Sequence, residues 1–425
     1  MCAQSPDDLD DAALLREAMM AQLLKAGLVL SPQVEAALRA VPRHHFLPSE
    51  TLDLAYANQA VPAKWIDGEV VSSASQPQMV AIMLEQLGLE AGQRVLEIGA
   101  GTGYNAALLA HAVGHSGKVT SLDIDEDIVS GARAHLLSAG YDRVDVRCVD
   151  GRAGCADAAP FDRVIVTVGV TQFPSSWHEQ LAPGGHLVLP LVIGAVAQWA
   201  IALAKEDDHL VSVNSRRCQF MLMRSAGALP GGTVRLEPDG DLSVRPCGSQ
   251  AVDSLRTSEL LRADSRSGHS GIRLTVNELV EALDPWLALH SAGFIGLYAR
   301  GAAAEERQLP ALLSGRFGKE AWHVTAGWLS TDTVCLMASG TDRAPTWDGP
   351  PFSLFLHSYG SNDWLAEHAL DQITAWDKAG RPSLENAQIQ IYPAAAGYNP
   401  LAAESAMAHG DSLLVVRWDD LAAAT

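Results

Sequence analysis

The segment Arg94-Val95-Leu96-Glu97-Ile98-Gly99-Ala100-Gly101-Thr102-Gly103-Tyr104 reads as a short apolar strand, a glycine turn, and a helix opening at Asn105-Ala106-Ala107-Leu108-Leu109-Ala110. Glycines at alternate positions let the chain turn tightly and bring bare N–H groups close to a ligand at the helix N-terminus. The spacing is G-x-G-x-G, with the acid Glu97 two residues before the first glycine, and it differs from the dinucleotide pattern G-x-G-x-x-G. A carboxylate at the strand end suits a ligand bearing an amino or sulfonium cation better than one bearing a pyrophosphate. A turn that only packs strand on helix is the plainer alternative.

Outward from this segment, strand and helix patterns alternate. Strands are predicted at 94–98, 118–124, 145–149, 162–167 and 186–191, with helices between them, notably at 127–139 and 174–181. Such alternation with short loops implies a parallel sheet covered on both faces, with ligands beyond the carboxyl ends of its strands. Upstream, Leu14, Met19, Leu23, Leu24, Val34 and Leu38 recur at helical spacing and give two helices split near Gly27 and Ser31-Pro32. After Gly227 the texture changes to short strands (293–298, 333–337, 352–356, 389–392, 412–418) with helices at 274–283 and 361–376, punctuated by Pro230-Gly231-Gly232 and Glu237-Pro238-Asp239-Gly240. The expected organisation is an N-terminal helical segment (1–60), a ligand-binding doubly wound α/β domain (61–228) and an α+β domain (229–425).

A chain of 425 residues is long for one core, and 48% hydrophobic with 19% charged residues is globular. The net charge of −20 is shared equally by residues 1–229 and 230–425, so it is not an acidic tail. A surface this negative repels phosphate backbones, which argues against a nucleic-acid partner. Six scattered cysteines without a C-x-x-C pair point to free thiols in a reducing compartment and to no metal. The N-terminus lacks a basic region followed by an apolar one. The apolar run from Leu187 to Ala204 contains Pro190, Gly194 and Gln198 and reads as two buried strands joined by a turn, not a membrane span. A cytoplasmic protein with no membrane partner is expected.

Asp123 closes the second strand, about 20 residues beyond the glycine turn, where a carboxylate can accept both ribose hydroxyls. Capping the next helix is its other reading, one that Asp125 fills equally well. Asp150-Gly151 closes the third strand, where a carboxylate can accept from an exocyclic amine and glycine admits an adenine edge; an ordinary turn is the alternative. Glu97, Asp123 and Asp150 at successive strand ends together describe the S-adenosylmethionine site of class I methyltransferases. The expected cofactor-binding residues are Glu97, Gly99, Gly101, Thr102, Gly103, Asp123, Asp150 and Gly151. The fourth strand ends Val166-Thr167-Val168-Gly169-Val170, without the Asn/Asp-Pro-Pro-aromatic motif that goes with methylation of base amines.

Further motifs are more specific. Val41-Pro42-Arg43-His44-His45-Phe46-Leu47-Pro48, Ala55-Tyr56-Ala57, Ser73-Ala74-Ser75-Gln76-Pro77, Val149-Asp150-Gly151-Arg152, Ala159-Pro160-Phe161-Asp162 and Gln180-Leu181-Ala182-Pro183-Gly184-Gly185-His186-Leu187-Val188-Leu189-Pro190 follow one another in order. This series resembles protein L-isoaspartyl O-methyltransferase, from about residue 40 to 225. The resemblance implies a class I Rossmann-like fold, S-adenosyl-L-methionine as methyl donor with S-adenosyl-L-homocysteine as product, and a peptide carboxylate as acceptor. In that family a Thr-Ile-Ser-x-Pro loop positions donor and acceptor; Ser73 and Ser75 stand at its hydroxyl positions and are the expected catalytic residues. From the residues alone, a serine-rich loop is usually a solvated turn.

The sequence departs from the family at Val168-Gly169-Val170-Thr171 and at Phe220-Met221-Leu222-Met223-Arg224. These segments border the acceptor, so Val168, Gly169, Phe220, Met221 and Arg224 join the two serines as expected substrate-binding residues. Through its length and Trp286-Leu287-Ala288-Leu289, Gly293-Phe294, Phe352-Ser353-Leu354-Phe355-Leu356-His357-Ser358-Tyr359-Gly360, Ile373-Thr374-Ala375-Trp376-Asp377 and Val415-Val416-Arg417-Trp418, the part beyond 228 resembles, more loosely, the C-terminal part of long isoaspartyl-methyltransferase homologues found with ribosomally made peptides. That likeness implies methylation of an aspartate in a modified, cyclised peptide such as a lanthipeptide, graspetide or lasso peptide, the ester then closing to a succinimide (aspartimide). Repair of isoaspartyl damage is the alternative, and a non-catalytic adaptor is a third reading from another class. Oligomeric state stays open.

Overall fold

The computed structural model describes residues 6–66, 69–224, 230–237, 241–305, 309–317, 320–340, 345–402 and 404–418. The expected boundary at 228/229 and the residues Pro238, Asp239 and Gly240 lie outside them. The chain forms two compact units, the first of Met1–Val170, Pro174–Pro190 and Ala200–Ala226, the second of Thr171–Phe173, Leu191–Trp199 and Gly227–Thr425.

The first unit opens with helices α1 (Pro6–Lys25) and α2 (Pro32–Ala40), a 3-10 turn at Arg43–Phe46, and the short α3 (Leu52–Tyr56). Pro32 occupies the first turn of α2, where its missing N–H costs nothing. The inward stripe of α1 is Ala12, Met19, Met20 and Leu23, whereas Leu14 is 69% and Leu24 43% exposed. The helical period was therefore legible, but two of its apolar positions face water.

Next come two antiparallel strands, β1 (Val61–Ile66) and β2 (Glu69–Ala74), then α4 (Pro77–Leu87). Ser73 therefore lies on a strand, and the expected Ser73–Pro77 loop shrinks to the residues between β2 and α4. The alternating core follows: β3 (Arg94–Ile98), α5 (Tyr104–Val113), β4 (Lys118–Asp123), α6 (Glu126–Ser138), β5 (Asp145–Cys148), β6 (Phe161–Val166), α7 (Ser175–Gln180), β7 (Leu181–Val192), β8 (Gln198–Lys205) and β9 (Leu210–Cys218). Within this unit the strands run in the order β5-β4-β3-β6-β7-β8-β9. Pairing is parallel from β5 through β7. This is the class I methyltransferase architecture expected from the sequence. The chain leaves β3 toward β4 and β5, then returns to β6 on the other side of β3, so strand order reverses at the glycine turn.

Val95, Leu96, Leu122, Val164, Val166, Leu187 and Leu189 are essentially inaccessible, as befits strands covered on both faces. Each such side chain contributes roughly 1.5–3 kcal/mol through burial. The apolar run 187–204 is the end of β7, a turn and most of β8. No helix among the described residues is long and apolar enough to cross a membrane.

The second unit is mainly antiparallel. One sheet orders Val234–Arg235, Leu242–Pro246, Phe294–Arg300, Glu320–Leu329, Thr333–Ser339, Phe352–Gly360 and Ser265–Leu274, with Leu313–Phe317 pairing Glu320–Leu329. Glu404–His409, Ser412–Trp418 and Ala387–Pro393 form another antiparallel set. Helices at Ser254–Leu261, Asp284–His290 and Trp364–Lys378 accompany them. Buried Asp284 accepts from the N–H groups of Ala195 and Val196 at 2.9 Å, which fixes the 194–197 turn within this unit.

Candidate active site

The glycine turn is held by its own backbone. Gly99 and Ala100 both donate to the Leu122 carbonyl, at 2.8 and 2.9 Å, and Gly103 donates to Ala100 at 2.8 Å. Gly99, Gly101 and Gly103 have φ of 100°, 51° and 88°, in the left-handed region where side chains are strained. A Cβ on Gly99 would also lie 2.4 Å from the Thr167 hydroxyl. That hydroxyl donates to the Gly99 carbonyl at 2.8 Å, so the end of β6 is stitched to the turn. Thr102 is buried, and its carbonyl accepts from His135 Nδ1 at 3.0 Å.

The three acids take three different positions. Asp123 stands at the turn: its Oδ2 accepts from Gly101 N–H at 3.1 Å and its Oδ1 from Ile124 N–H at 2.8 Å. Burial raises its carboxyl above the ordinary value against these backbone donors. Asp125 occupies the cap position of α6 without capping it, so the capping alternative for this region is not how either carboxylate is used.

Glu97 lies beneath the turn, fully buried, with Oε1 accepting from Asn105 Nδ2 at 2.8 Å and Oε2 from the Ser121 hydroxyl. Burial pushes it up to about 7, helped by the charge of Asp123 and opposed by those two donors. Both its oxygens are thus already bonded within the protein, which differs from the carboxylate open to a ligand cation expected from the sequence. Strand alternation explains this, because Glu97 pairs across the sheet with Ser121 on β4.

Asp150 follows β5 and is only partly exposed, capping the 3-10 turn Gly151–Ala153 through Arg152 N–H at 3.0 Å. The Arg152 guanidinium, 2.6 Å from Oδ2, holds its carboxyl below the usual range. A Cβ on Gly151 would come within 2.4 Å of Ile98 Cγ2, so only glycine lets this loop close against the end of β3.

The serine segment meets the turn. A Cβ on Gly101 would lie 3.6 Å from the Ser73 carbonyl and 3.8 Å from the Ser72 hydroxyl. Ser73 and Ser75 are themselves partly exposed. On the far side of β3, Gly169 donates to the Met221 carbonyl at 2.7 Å and accepts from Met223 N–H at 2.8 Å. Segment 220–224 is therefore tied to the end of β6 by an isolated bridge between Gly169 and Leu222, which brings Met221 and Met223 to Gly169. Arg224 reaches Asp125 at 2.6 Å.

Sequence reasoning missed three residues. Arg43 is fully buried and donates to the carbonyls of Ala55 and Ser75 at 2.8 and 3.0 Å. Tyr104, the first residue of α5, lies with its ring 4.9 Å beneath that guanidinium. Lys64 on β1 pairs with Asp125 at 2.9 Å and Asp127 at 2.7 Å. The signal available for Arg43 was its place in Val41-Pro42-Arg43; nothing local marks Lys64. Among the described residues no cluster could hold a metal ion, and Cys148, Cys155, Cys218, Cys247 and Cys335 are free thiols.

Residues 14–226 match the protein-L-isoaspartate(D-aspartate) O-methyltransferase family. Protein-L-isoaspartate O-methyltransferase 2 of Archaeoglobus fulgidus is 40% identical over 189 residues, covering 44% of this chain and 83% of the relative. The Methanopyrus kandleri protein-L-isoaspartate O-methyltransferase is 40% identical over 207 residues, 48% of this chain and 89% of its own. A solved structure titled protein-L-isoaspartate O-methyltransferase aligns with 88% of this chain and 96% of its own, at 25% identity and a TM-score of 0.49. With a glycine turn at the sheet's reversal point and half its length matched in order, the chain belongs to the protein-L-isoaspartate(D-aspartate) O-methyltransferase family and is an S-adenosylmethionine-dependent O-methyltransferase.

Proposed function

We propose that this protein methylates the free carboxylate of an isoaspartyl residue in a peptide or protein. The observation that carries the reading is the serine segment lying over Gly101 inside a region matched to the isoaspartyl methyltransferases. The residues present fit the donor: three left-handed glycines, one with no room for a Cβ, beside the partly exposed carboxylate of Asp123. Asp123 would hold the ribose hydroxyls, Gly99–Gly103 the amino-acid end, and Asp150 with Gly151 the adenine edge. Glu97 would act from below, fixing Asn105 and the start of α5. When bound, S-adenosylmethionine supplies an electrophilic methyl group on a sulfonium.

No general base is required, because a carboxylate with a pKa near 4 is ionised at neutral pH. The protein's task is alignment and exclusion of water. Ser75 and Ser73 offer hydroxyl donors that orient the acceptor oxygen without neutralising it. Val168, Gly169 and the 220–224 bridge form the opposite wall. The ester product is a good electrophile; attack by the next backbone amide nitrogen expels methanol and leaves a succinimide.

A second reading places the acceptor aspartate in a modified, ribosomally made peptide. It is favoured by one observation, the folded second unit beyond the family match, which would then recognise that peptide. The relatives' names favour the isoaspartyl acceptor. The test is methyl transfer by the purified protein to an isoaspartyl peptide, its aspartyl counterpart and a cyclised aspartyl peptide, read by mass spectrometry. A methyl gain on the isoaspartyl peptide alone is expected, and Ser75→Ala should slow it about tenfold or more with little change in S-adenosylhomocysteine affinity. Reaction of the cyclised peptide alone supports the second reading, and no transfer with no donor binding the non-catalytic one.

A further inference from the structure

Arg43 is a charge in an unusual position. Its side chain is entirely inaccessible on the 3-10 turn Arg43–Phe46, and among the described residues no carboxylate pairs with it. Removing a guanidinium from water without an acid to face it is costly, so such a residue persists only where its donors do something an apolar residue could not.

Those donors go to main-chain carbonyls of two separate segments. Nε donates to Ala55 on α3 at 2.8 Å, while Nη2 donates to Ser75 at 3.0 Å and lies 3.5 Å from the Ala74 carbonyl. The π face of Tyr104, directly after the glycine turn, lies 4.9 Å from the guanidinium carbon and supplies a third, electrostatic contact. One rigid planar group thus spans α3, the serine segment and the first residue of α5. Lysine, a single point donor on a flexible stem, cannot reproduce that fork.

The surroundings are polar, with Tyr104 and Tyr56 near the guanidinium, but among the described residues they bring no carboxylate. His44 bonds Tyr56 through Nδ1 at 2.8 Å, and burial pushes its pKa down to about 4, so it is neutral at physiological pH. Among the described residues, the Tyr104 hydroxyl and Arg43 Nη1 are buried without a hydrogen-bond partner.

We propose that Arg43 is the positioning residue of the acceptor segment, fixing the separation between Ser75 and the glycine turn by holding the Ser75 carbonyl from behind. The inference rests on the reading of Ser75 as an acceptor-site residue. Because Arg43 acts through the backbone of that segment, its loss disturbs alignment of the methyl acceptor while leaving the donor's contacts at Asp123 in place.

The test compares wild type with Arg43→Lys and Arg43→Gln by hydrogen–deuterium exchange, calorimetric binding of S-adenosylhomocysteine, and steady-state methylation of an isoaspartyl peptide. In Arg43→Lys, faster exchange confined to residues 72–76 is expected, together with a kcat at least about tenfold lower and donor affinity within about twofold of wild type. Unchanged exchange at 72–76 overturns the proposal, as does a kcat loss that merely tracks donor affinity or folded fraction. If Arg43→Gln does not fold, Arg43→Lys, which keeps the charge, decides alone. If the wild type methylates no peptide, the functional reading has failed, and the exchange measurement still answers whether Arg43 holds the segment.

Discussion

The backbone N–H of Gly101 donates to Oδ2 of Asp123 at 3.1 Å, so the glycine turn and the acid closing the next strand are one hydrogen-bonded unit. Asp123 also accepts from Ile124, which leaves its carboxylate fixed before any ligand arrives. Asp123→Ala should therefore weaken S-adenosylhomocysteine binding by about tenfold or more, since hydrogen bonds to a charged group carry about 1.5–3 kcal/mol. Asp123→Asn, which keeps an acceptor for Gly101, should lose less. Titration calorimetry on the two variants checks this, and equal affinities for wild type and Asp123→Ala would remove the ribose role.

At Gly99 two penalties coincide. An alanine there adopts φ near 100° and places its Cβ 2.4 Å from the Thr167 hydroxyl oxygen. Backbone strain of about 1–2 kcal/mol and overpacking of about 1–3 kcal/mol give an expected loss of roughly 2–5 kcal/mol for Gly99→Ala. Adding Thr167→Ala relieves the clash but not the strain, so the double variant should recover only part of the lost stability. Chemical denaturation of the three proteins separates the two contributions.

Glu97 gives the folded protein a pH dependence of definite sign. Burial raises its pKa from the ordinary 4.5 to about 7, so between those values the folded state holds a proton that the unfolded state has released. Its contribution is fully present below the unfolded pKa and is lost as pH rises through 7, by up to roughly 3 kcal/mol. Glu97→Gln can still bond Asn105 and Ser121 and removes the titration. The variant should show a flatter stability profile between pH 5 and pH 8, and a relative gain at the alkaline end, in urea melts across that range.

The parallel core was legible because strands buried on both faces are written as runs such as Val95-Leu96 and Val164-Ile165-Val166, and the glycine turn names its own position. Strands β1 and β2 were not, since Lys64, Glu69, Ser72 and Ser73 interrupt any apolar alternation. Asp123 ends β4, as the strand spacing predicts, and the turn reaches it through the Gly101 N–H. The bonds of Glu97 to Asn105 and Ser121 were not legible, since the pleat that turns it toward Ser121 depends on which strand lies alongside. Ser73 and Ser75 came only through family likeness, for their meeting with Gly101 is a contact between distant segments. Arg43 and Lys64 act wholly through such contacts, which composition and period do not encode.

Asp125 ties three segments of the first unit together. Its Oδ2 lies 2.6 Å from Arg224 Nη2 and 2.9 Å from Lys64 Nζ, linking the 220–224 bridge and β1 to the start of α6. Burial alone would raise its carboxyl, yet the two cations outweigh this and hold it below the usual range. The stability it lends is therefore present above the unfolded pKa and is lost as pH falls toward the folded one. All three side chains are only 19–25% exposed, so salt screens them less than an ordinary surface pair. Asp125→Asn strips Arg224 of its ion-pair partner while Lys64 retains Asp127. A loss of about 1–3 kcal/mol is expected, with faster hydrogen exchange in β1, β2 and 220–224. Arg224→Met removes the cation instead and leaves Asp125 paired with Lys64, so it should cost less. Adding Arg224→Met to Asp125→Asn should cost little more than Asp125→Asn alone, because the stranded guanidinium is then gone. A double-mutant cycle by denaturant melts tests the arrangement, and additive losses would show that the two residues act independently.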